Sequence, residues 1–184
     1  MNLQENSKIW QLLGFSPSEK SDTWSADNCM KNYQISSLVI AAQSYVFDLL
    51  ETVHDHMYHN IDHTFSVYLR VKYLCECEGI TWDEKEDLLI AALFHDTGFT
   101  QSYKKNEPIG AQIARWWLMN RHHNEDRIKR IERIIMATTF PDSSHGLFHT
   151  PFDILEEIIQ DADMDNLGCK NSFTLSAAIY DEIR

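Results

Sequence analysis

The apolar residues of this chain recur at helical spacing in one segment after another, and this pattern limits the fold more than any other feature. The first segment runs from Ile35 to about His54, where Leu38 and Val39 lie four and three residues before Ala42, and Val46 lies four after it. Five more segments follow, near residues 62–77, 81–94, 108–117, 128–138 and 154–162. No alternating strand pattern competes with them, and 6 glycines and 4 prolines in 184 residues are too few for a typical β-sandwich. The sequence predicts an all-α fold.

Start and stop signals support the individual helices. Thr81 and Glu84 have capping-box spacing, so the third helix should begin there and run to about Phe94. Pro108 suits the first turn of the fourth helix, and Gly79 should follow the end of the second.

The chain divides into an extension and one larger domain. Residues 1–34 combine a short amphipathic piece, "IWQLLGF", with a polar stretch that is typical of a loop. Residues 35–184 are predicted to form the domain, which is long enough to bury a core. The last segment, "FTLSAAIYDEIR", is a helix without a stop signal, so it either frays or belongs to a longer protein.

Charge and composition restrict the partners. A net charge of −12 argues against a nucleic-acid polymer, which requires clustered lysine and arginine. The sequence lacks a signal peptide and a run of about 18 apolar residues, so no membrane partner is expected. The four cysteines form no CxxC pair, and Cys75 and Cys77 point to different sides of a helix, so they should not form a disulfide with each other. A reducing cytoplasm is therefore the predicted location. Assembly as a homo-oligomer is left open.

Two histidines, His59 and His63, stand four residues apart where the second helix begins. By themselves they fit surface histidines, a local zinc site with His54 and His56, or one part of a site assembled from distant segments. Nothing within the segment decides between these interpretations.

Two later helices end in groups that suit a metal. His95 and Asp96 are adjacent at the end of the third helix, and histidine with carboxylate suits a borderline divalent ion, although a hydrogen-bonded core pair is the alternative. In the sixth helix, Asp163 lies four residues after Ile159 and therefore on the same, core-facing side. Asp161 lies about 200° away around that helix. A carboxylate on a core-facing stripe is costly unless it is paired or bound to a metal.

Taken in order, these motifs resemble the HD superfamily of metal-dependent phosphohydrolases. The motifs are "YHNIDH", then "HD" 32 residues after His63, then "DAD" on a late helix. The resemblance covers roughly residues 35–184 and implies a helical bundle with a metal site between its central helices. "DADMDNLG" is similar to the "DADLxxLG" signature of a poorly characterised bacterial branch of predicted phosphohydrolases with unknown substrate.

Carried over by position, the resemblance implies that His63, His95, Asp96 and Asp163 bind one divalent ion, with zinc, manganese, iron or nickel as candidates. "YHNIDH" also resembles the "YHNxxH" of cyclic-nucleotide phosphodiesterases, which implies that His59 is the general acid. The implied enzyme hydrolyses a small phosphoester (a phosphomonoester, nucleotide or cyclic nucleotide) by a metal-activated water, with His59 and Asp96 as catalytic residues. The alternative is an HD-type ligand-sensing or regulatory module without turnover.

The sequence departs from branches of the superfamily that hold two metals. Asn106 stands where those branches have a further histidine, and Thr138 and Thr139 occupy the region of another histidine motif. One metal is therefore expected, and Asn106 also argues against a two-iron oxygenase. Asp96 is followed by "TGFT" instead of the alarmone-hydrolase motif, which disfavours that substrate. Glu107 is either a water-orienting carboxylate or a plain helix residue.

The remaining histidines and cations are interpreted as surface or loop groups, and the paired tryptophans as packing residues. They are His122, His123, His145, His149, Lys104, Lys105, Arg127, Lys129, Arg130, Arg133, Trp116 and Trp117. His145 and His149 could also reach the rim of a pocket from their loop.

Overall fold

The computed structural model describes residues 35–53, 56–140, 150–168, 170 and 172–183. Within these residues the chain forms seven α-helices and two 3₁₀ turns, and no strand. The predicted all-α fold is confirmed. The helices are α1 Ser37–Leu50, α2 Ile61–Cys77, α3 Trp82–Phe94, α4 Asn106–Met119, α5 Glu125–Met136, α6 Ile154–Asp163 and α7 Ser172–Ile183, and the 3₁₀ turns are Thr97–Thr100 and Met164–Gly168.

Most helices begin at a side chain that satisfies free backbone N–H groups. Thr81 and Glu84 form the predicted capping box at the start of α3. Asn60, Asn124 and Asp153 cap α2, α5 and α6 by accepting from the first-turn amides. The predicted extension at residues 1–34 lies outside the described residues, as do His54, His145 and His149, and the boundary at residue 35 stays a prediction.

Helix α3 is the centre of the bundle. Residues 87–94 are all buried, because the sequence "DLLIAALF" is apolar around nearly the whole helix. Helices α1, α2, α4, α5 and α6 all pack against it. The C-terminal end of α3, which carries the His95–Asp96 pair, is therefore enclosed by neighbouring helices.

Two predictions about α4 and α5 need correction. Trp117 is fully buried, but Trp116 is 60% exposed, so only one of the two tryptophans packs in the core. The cations of α5 do not form a simple solvated face. Arg127 forms ion pairs with Glu86 and with Asp87, which is fully buried, because a carboxylate placed in the core-facing part of α3 needs a cationic partner.

The last helix contributes little to this core. Helix α7 packs on the 3₁₀ turn Met164–Gly168 and buries none of its residues. Its aromatic residues Phe173 and Tyr180 are 90% and 63% exposed. No helix in the described ranges is long and apolar enough to cross a membrane.

Candidate metal centre

His63 lies in the first turn of α2, and the helix cap fixes its place. The Asn60 side chain accepts hydrogen bonds from the backbone N–H of Asp62 (3.0 Å) and of His63 (3.3 Å). The chain therefore turns at Asn60, and His59 is not part of the helix that carries His63. The Tyr58 ring packs against the His63 ring, with 4.6 Å between centroids.

His95 and Asp96 follow directly after α3. His95 Nδ1 donates to the backbone carbonyl of Ala92 (2.8 Å), since a carbonyl oxygen can only accept. In the neutral ring this leaves Nε2 with a free electron pair, as a metal ligand requires. The 3₁₀ turn Thr97–Thr100 then carries the chain away, and Thr97 Oγ1 closes the helix end by donating to the carbonyl of Phe94 (2.7 Å).

Asp163 is the last residue of α6, and its side chain reaches the two histidines. Its Oδ1 lies 3.1 Å from His63 Nε2 and 3.5 Å from His95 Nε2. Asp161, two residues earlier, is exposed. The two aspartates therefore lie on the sides of α6 that the spacing predicts.

All four residues that the sequence singles out as ligands meet at one point. The Nε2 atoms of His63 and His95 are 3.4 Å apart, and Asp96 Oδ2 lies 3.3 Å and 3.1 Å from them. One ligand atom each from His63, His95 and Asp163 lies within 4.8 Å of the others. The cluster joins residues up to 100 positions apart in the sequence.

The donor set fits a divalent cation. Two imidazole nitrogens and two carboxylates are the ligands that zinc and similar first-row ions use. Asp96 Oδ2 is buried and receives no hydrogen bond of good geometry, although both Nε2 atoms are near it. A buried carboxylate oxygen without a donor is costly, and a cation at the centre of the cluster would satisfy it.

The members of the cluster stabilise one another's charged forms. Burial opposes the charged form of every member, but their mutual attraction outweighs it. The pKa of His95 is raised well above its usual value by Asp96 and Asp163, and that of His63 is also raised. The pKa of Asp96 falls well below its usual range, and that of Asp163 falls to about 2. Both carboxylates are thus held in the ionised form that binds metals, and a bound cation would replace the protons that the two histidines share with them.

His59 lies beside this cluster. Its ring is 5.8 Å from the His63 ring and stacks on Phe99 at 4.2 Å between centroids. Its Nδ1 lies 2.5 Å from Oε1 of Glu182, a residue of α7. Sequence reasoning missed Glu182, because one glutamate on an amphipathic helix carries no local signal.

His56, which the local-zinc-site interpretation included, lies near His59. It packs edge-on against Phe99 (5.4 Å), and its Nδ1 lies 3.8 Å from Glu182 Oε1, so it borders the surroundings of His59 and not the four-residue cluster.

Asn106, which stands where two-metal branches have a further histidine, and its neighbour Glu107 also lie near the cluster. Asn106 is buried, and its amide nitrogen donates to Asp96 Oδ1 (3.4 Å); with the amide turned about, it would donate to Glu107 instead. Burial raises the pKa of Glu107, and the charges of Asp96 and Asp163 raise it further, which puts its carboxylate within their electrostatic reach.

A cavity of about 420 Å³ opens beside Asp163. Thr138, Thr139, Phe140 and Gln160 are among the residues that line it. No lysine or arginine of the described residues is among those residues. The two threonine hydroxyls use their hydrogens on backbone carbonyls, Thr138 on Ile135 and Thr139 on Met136. While these bonds hold, each hydroxyl oxygen can only accept a hydrogen bond from another group.

Other histidines and lysines considered from the sequence are exposed, half-buried or outside the described residues. His122, Lys104 and Lys105 are exposed, and His123 is half-buried against the ion pairs of α5. His145 and His149 fall outside the described residues. Cys75 and Cys77 are free thiols, as expected.

Comparison with known proteins identifies the family of this fold. The HD domain model matches residues 60–164, which is more than half of the chain and spans His63, His95, Asp96 and Asp163. No match was found among curated proteins or solved structures. The matched segment runs from the cap of α2 to the residue after α6, so it contains all three parts of the cluster. The chain therefore belongs to the HD domain family.

Proposed function

We propose that this chain is a metal-dependent phosphohydrolase that cleaves a small phosphoester at the cluster of His63, His95, Asp96 and Asp163. One observation carries the proposal: four metal-binding side chains from three separate helix ends converge within an HD domain, and a buried carboxylate oxygen among them has no hydrogen bond. HD domains are mostly metal-dependent hydrolases, which supports the reaction class.

We infer one ion per chain, with zinc, manganese, iron or nickel as candidates. Asn106, whose amide is a poor replacement for imidazole, lies beside Asp96 where a second ion would need a ligand. When bound, such an ion would acidify a water molecule and offset the charge of a phosphoryl group.

The chain's own residues supply the remaining chemistry. Asp96 and Asp163 keep the centre anionic, and the Ala92 carbonyl fixes the ring of His95. His59 lies beside the cluster without joining it, so it can donate a proton to the leaving oxygen, a step typically worth about 100-fold to 10,000-fold in rate. We infer that Glu107, whose pKa responds to the charges of Asp96 and Asp163, accepts a proton from the attacking water.

The cavity beside Asp163 supports a substrate with one phosphoryl group. Its volume of about 420 Å³ suits a small molecule. Because its described lining residues include no lysine or arginine, further phosphate groups would be unpaired there. Phosphomonoesters, nucleoside monophosphates and cyclic nucleotides fit this description better than polyphosphates. A cytoplasmic location agrees with the free thiols of Cys75 and Cys77 and stays a prediction.

The test is hydrolysis of a phosphoester panel by protein loaded with zinc, manganese, iron or nickel. We expect turnover that a chelator removes and that His95→Ala reduces by at least about 100-fold, together with metal binding. His122→Asn is the matched control, because His122 is exposed and asparagine tolerates its positive φ of 54°.

Two outcomes would contradict the proposal. Metal binding without turnover on any substrate would favour the regulatory or ligand-sensing alternative. Turnover that survives both the chelator and His95→Ala would place the chemistry elsewhere.

A further inference from the structure

Glu182 is the one side chain of α7 that is both charged and nearly enclosed among the described residues. Only 2% of its side chain is exposed, although α7 buries no residue as a whole. Its Oε2 accepts hydrogen bonds from the backbone N–H groups of Tyr58 (2.7 Å) and His59 (3.1 Å). Its Oε1 lies 2.5 Å from His59 Nδ1. One carboxylate therefore holds both the backbone and the ring of His59.

The rest of the surroundings leave the His59 ring a single orientation. Phe99 stacks on one face of the ring, and Tyr58 meets it edge-on at 4.9 Å between centroids. The Tyr103 ring lies edge-on to the His59 ring, at 6.1 Å between centroids. With Nδ1 directed at Glu182, Nε2 on the opposite side of the ring is the nitrogen left for a substrate.

The two carboxylate oxygens of Glu182 have different hydrogen-bond partners. Oε2 receives two backbone N–H groups, so it must be an acceptor. Oε1 faces His59 Nδ1 and, as a carboxylate oxygen, requires that nitrogen to carry the hydrogen. Burial would raise the pKa of Glu182, but its bonds with His59 and Tyr58 lower it overall, so the group is ionised at neutral pH.

We propose that Glu182 is the positioning residue of His59, and that docking of α7 through this carboxylate sets whether the proton-donation step operates. The acid step in this inference rests on the proposed function, whereas the positioning of the His59 ring by Glu182 does not. The metal cluster is built from α2, the end of α3 and α6, and α7 carries none of its residues. Undocking of α7 would therefore remove the carboxylate that orients His59 and leave the ion in place. The Glu182 contact and the packing of α7 on the 3₁₀ turn Met164–Gly168 dock the helix together.

The test compares Glu182→Gln with Asp181→Asn, an exposed carboxylate on the same helix. In Glu182→Gln the amide oxygen must take over the backbone donors, which turns the NH₂ group toward His59 Nδ1, so that this nitrogen must be an acceptor. The acid is the doubly protonated ring, which gives its Nε2 hydrogen to the leaving oxygen and keeps its Nδ1 hydrogen on Glu182. Beside the NH₂ group that form has no acceptor for its Nδ1 hydrogen, and the neutral ring carries its one hydrogen on Nε2. We expect unchanged metal content and a loss of about 100-fold in kcat on an alkyl phosphate. The loss on p-nitrophenyl phosphate should be small, because that leaving group needs no proton.

Two further variants separate positioning from a general structural effect. Glu182→Asp keeps the charge and should recover part of the lost activity. The double variant His59→Asn with Glu182→Gln should be no slower than His59→Asn alone, because both changes remove one function. Asp181→Asn should match the parent on both substrates.

A measurement independent of turnover completes the test. In ¹⁵N-labelled, zinc-loaded protein, the neutral His59 ring should carry its hydrogen on Nδ1 in the parent and on Nε2 in Glu182→Gln, and Asp181→Asn should leave this tautomer unchanged. An unchanged His59 ring in Glu182→Gln would overturn the proposal even if no substrate is cleaved. Equal losses of activity by Glu182→Gln on the alkyl and nitrophenyl substrates, or loss of its metal, would also overturn the proposal. The expected tautomer shift without any turnover by the parent protein would contradict only the proposed function.

Discussion

Gly98 allows the closest approach between the turn after the His95–Asp96 pair and the start of α4. A Cβ atom at this position would lie 1.8 Å from the backbone oxygen of Asn106 and 2.7 Å from its Cα. Ordinary contacts begin at 3.4 Å, so in Gly98→Ala the two backbones must separate by about 1.6 Å. The obstacle is backbone and not a flexible side chain, and Asp96 lies two residues away.

The expected effects follow from this displacement. Overpacking of this kind costs about 1–3 kcal/mol, which lowers Tm by about 2–12 °C in a chain of this size. The shift also moves the start of α4 relative to Asp96, and disturbing the groups around a metal ligand typically weakens metal affinity about 10–100-fold. A misplacement of about 1 Å near the reacting groups can cost about 100-fold in rate.

Thermal unfolding in chelator measures the first effect, and a zinc titration of the folded protein measures the second. Gly168→Ala is the matched control, since nothing lies within 4 Å of a Cβ there; it should stay within about 0.5 kcal/mol of the parent. A Gly98→Ala protein with the parent's Tm and zinc affinity would show that the two backbones separate freely, and that their approach does not position Asp96.

Three other substitutions test separate parts of the structure. Asp163→Asn should lose most metal affinity, while Asp161→Asn keeps it, because only Asp163 faces the histidines; equal loss by equilibrium dialysis would refute this assignment. Glu107→Gln should keep the metal and lower kcat by at least about 100-fold whatever the leaving group, if Glu107 accepts the water's proton; unchanged kcat would make it a plain helix residue. Asp87→Asn should lower the free energy of unfolding in urea by about 1.5–3 kcal/mol, because it removes the charged acceptor of Arg127; a loss below about 0.5 kcal/mol would mean that solvent replaces that pair.

The helices were predictable because their signals are local. Thr81 and Glu84 satisfy N–H groups within three residues of each other, so spacing alone revealed the start of α3. The central place of α3 also follows from its apolar sequence, which leaves no side for solvent.

The position of Asp163 was predictable from helix phase, whereas the partners of Asp87 and Arg127 were not. Asp163 follows Ile159 by one helical turn, and both face inward. Arg127 belongs to a helix with a strongly polar face, which suggested solvent exposure. Its pairing depends on how α5 crosses α3, and the sequence does not encode that crossing locally.

Glu182 was beyond sequence reasoning for a related reason. Its contact with His59 spans 123 residues and joins a loop to an otherwise exposed helix. Neither a motif nor a periodic pattern distinguishes Glu182 from Asp181, its exposed neighbour. Only the packing of α7 onto the turn after α6 brings its carboxylate to the His59 backbone.

Anomalous scattering from crystals of the metal-loaded protein would test the metal centre most directly. We expect one strong peak per chain, within bonding distance (about 2.0–2.2 Å) of His63 Nε2, His95 Nε2 and the carboxylates of Asp96 and Asp163. That peak should be absent from crystals of Asp163→Asn grown under the same conditions. Two fully occupied ions about 4 Å apart, or an ion bound away from these four residues, would contradict a single-metal centre at this cluster.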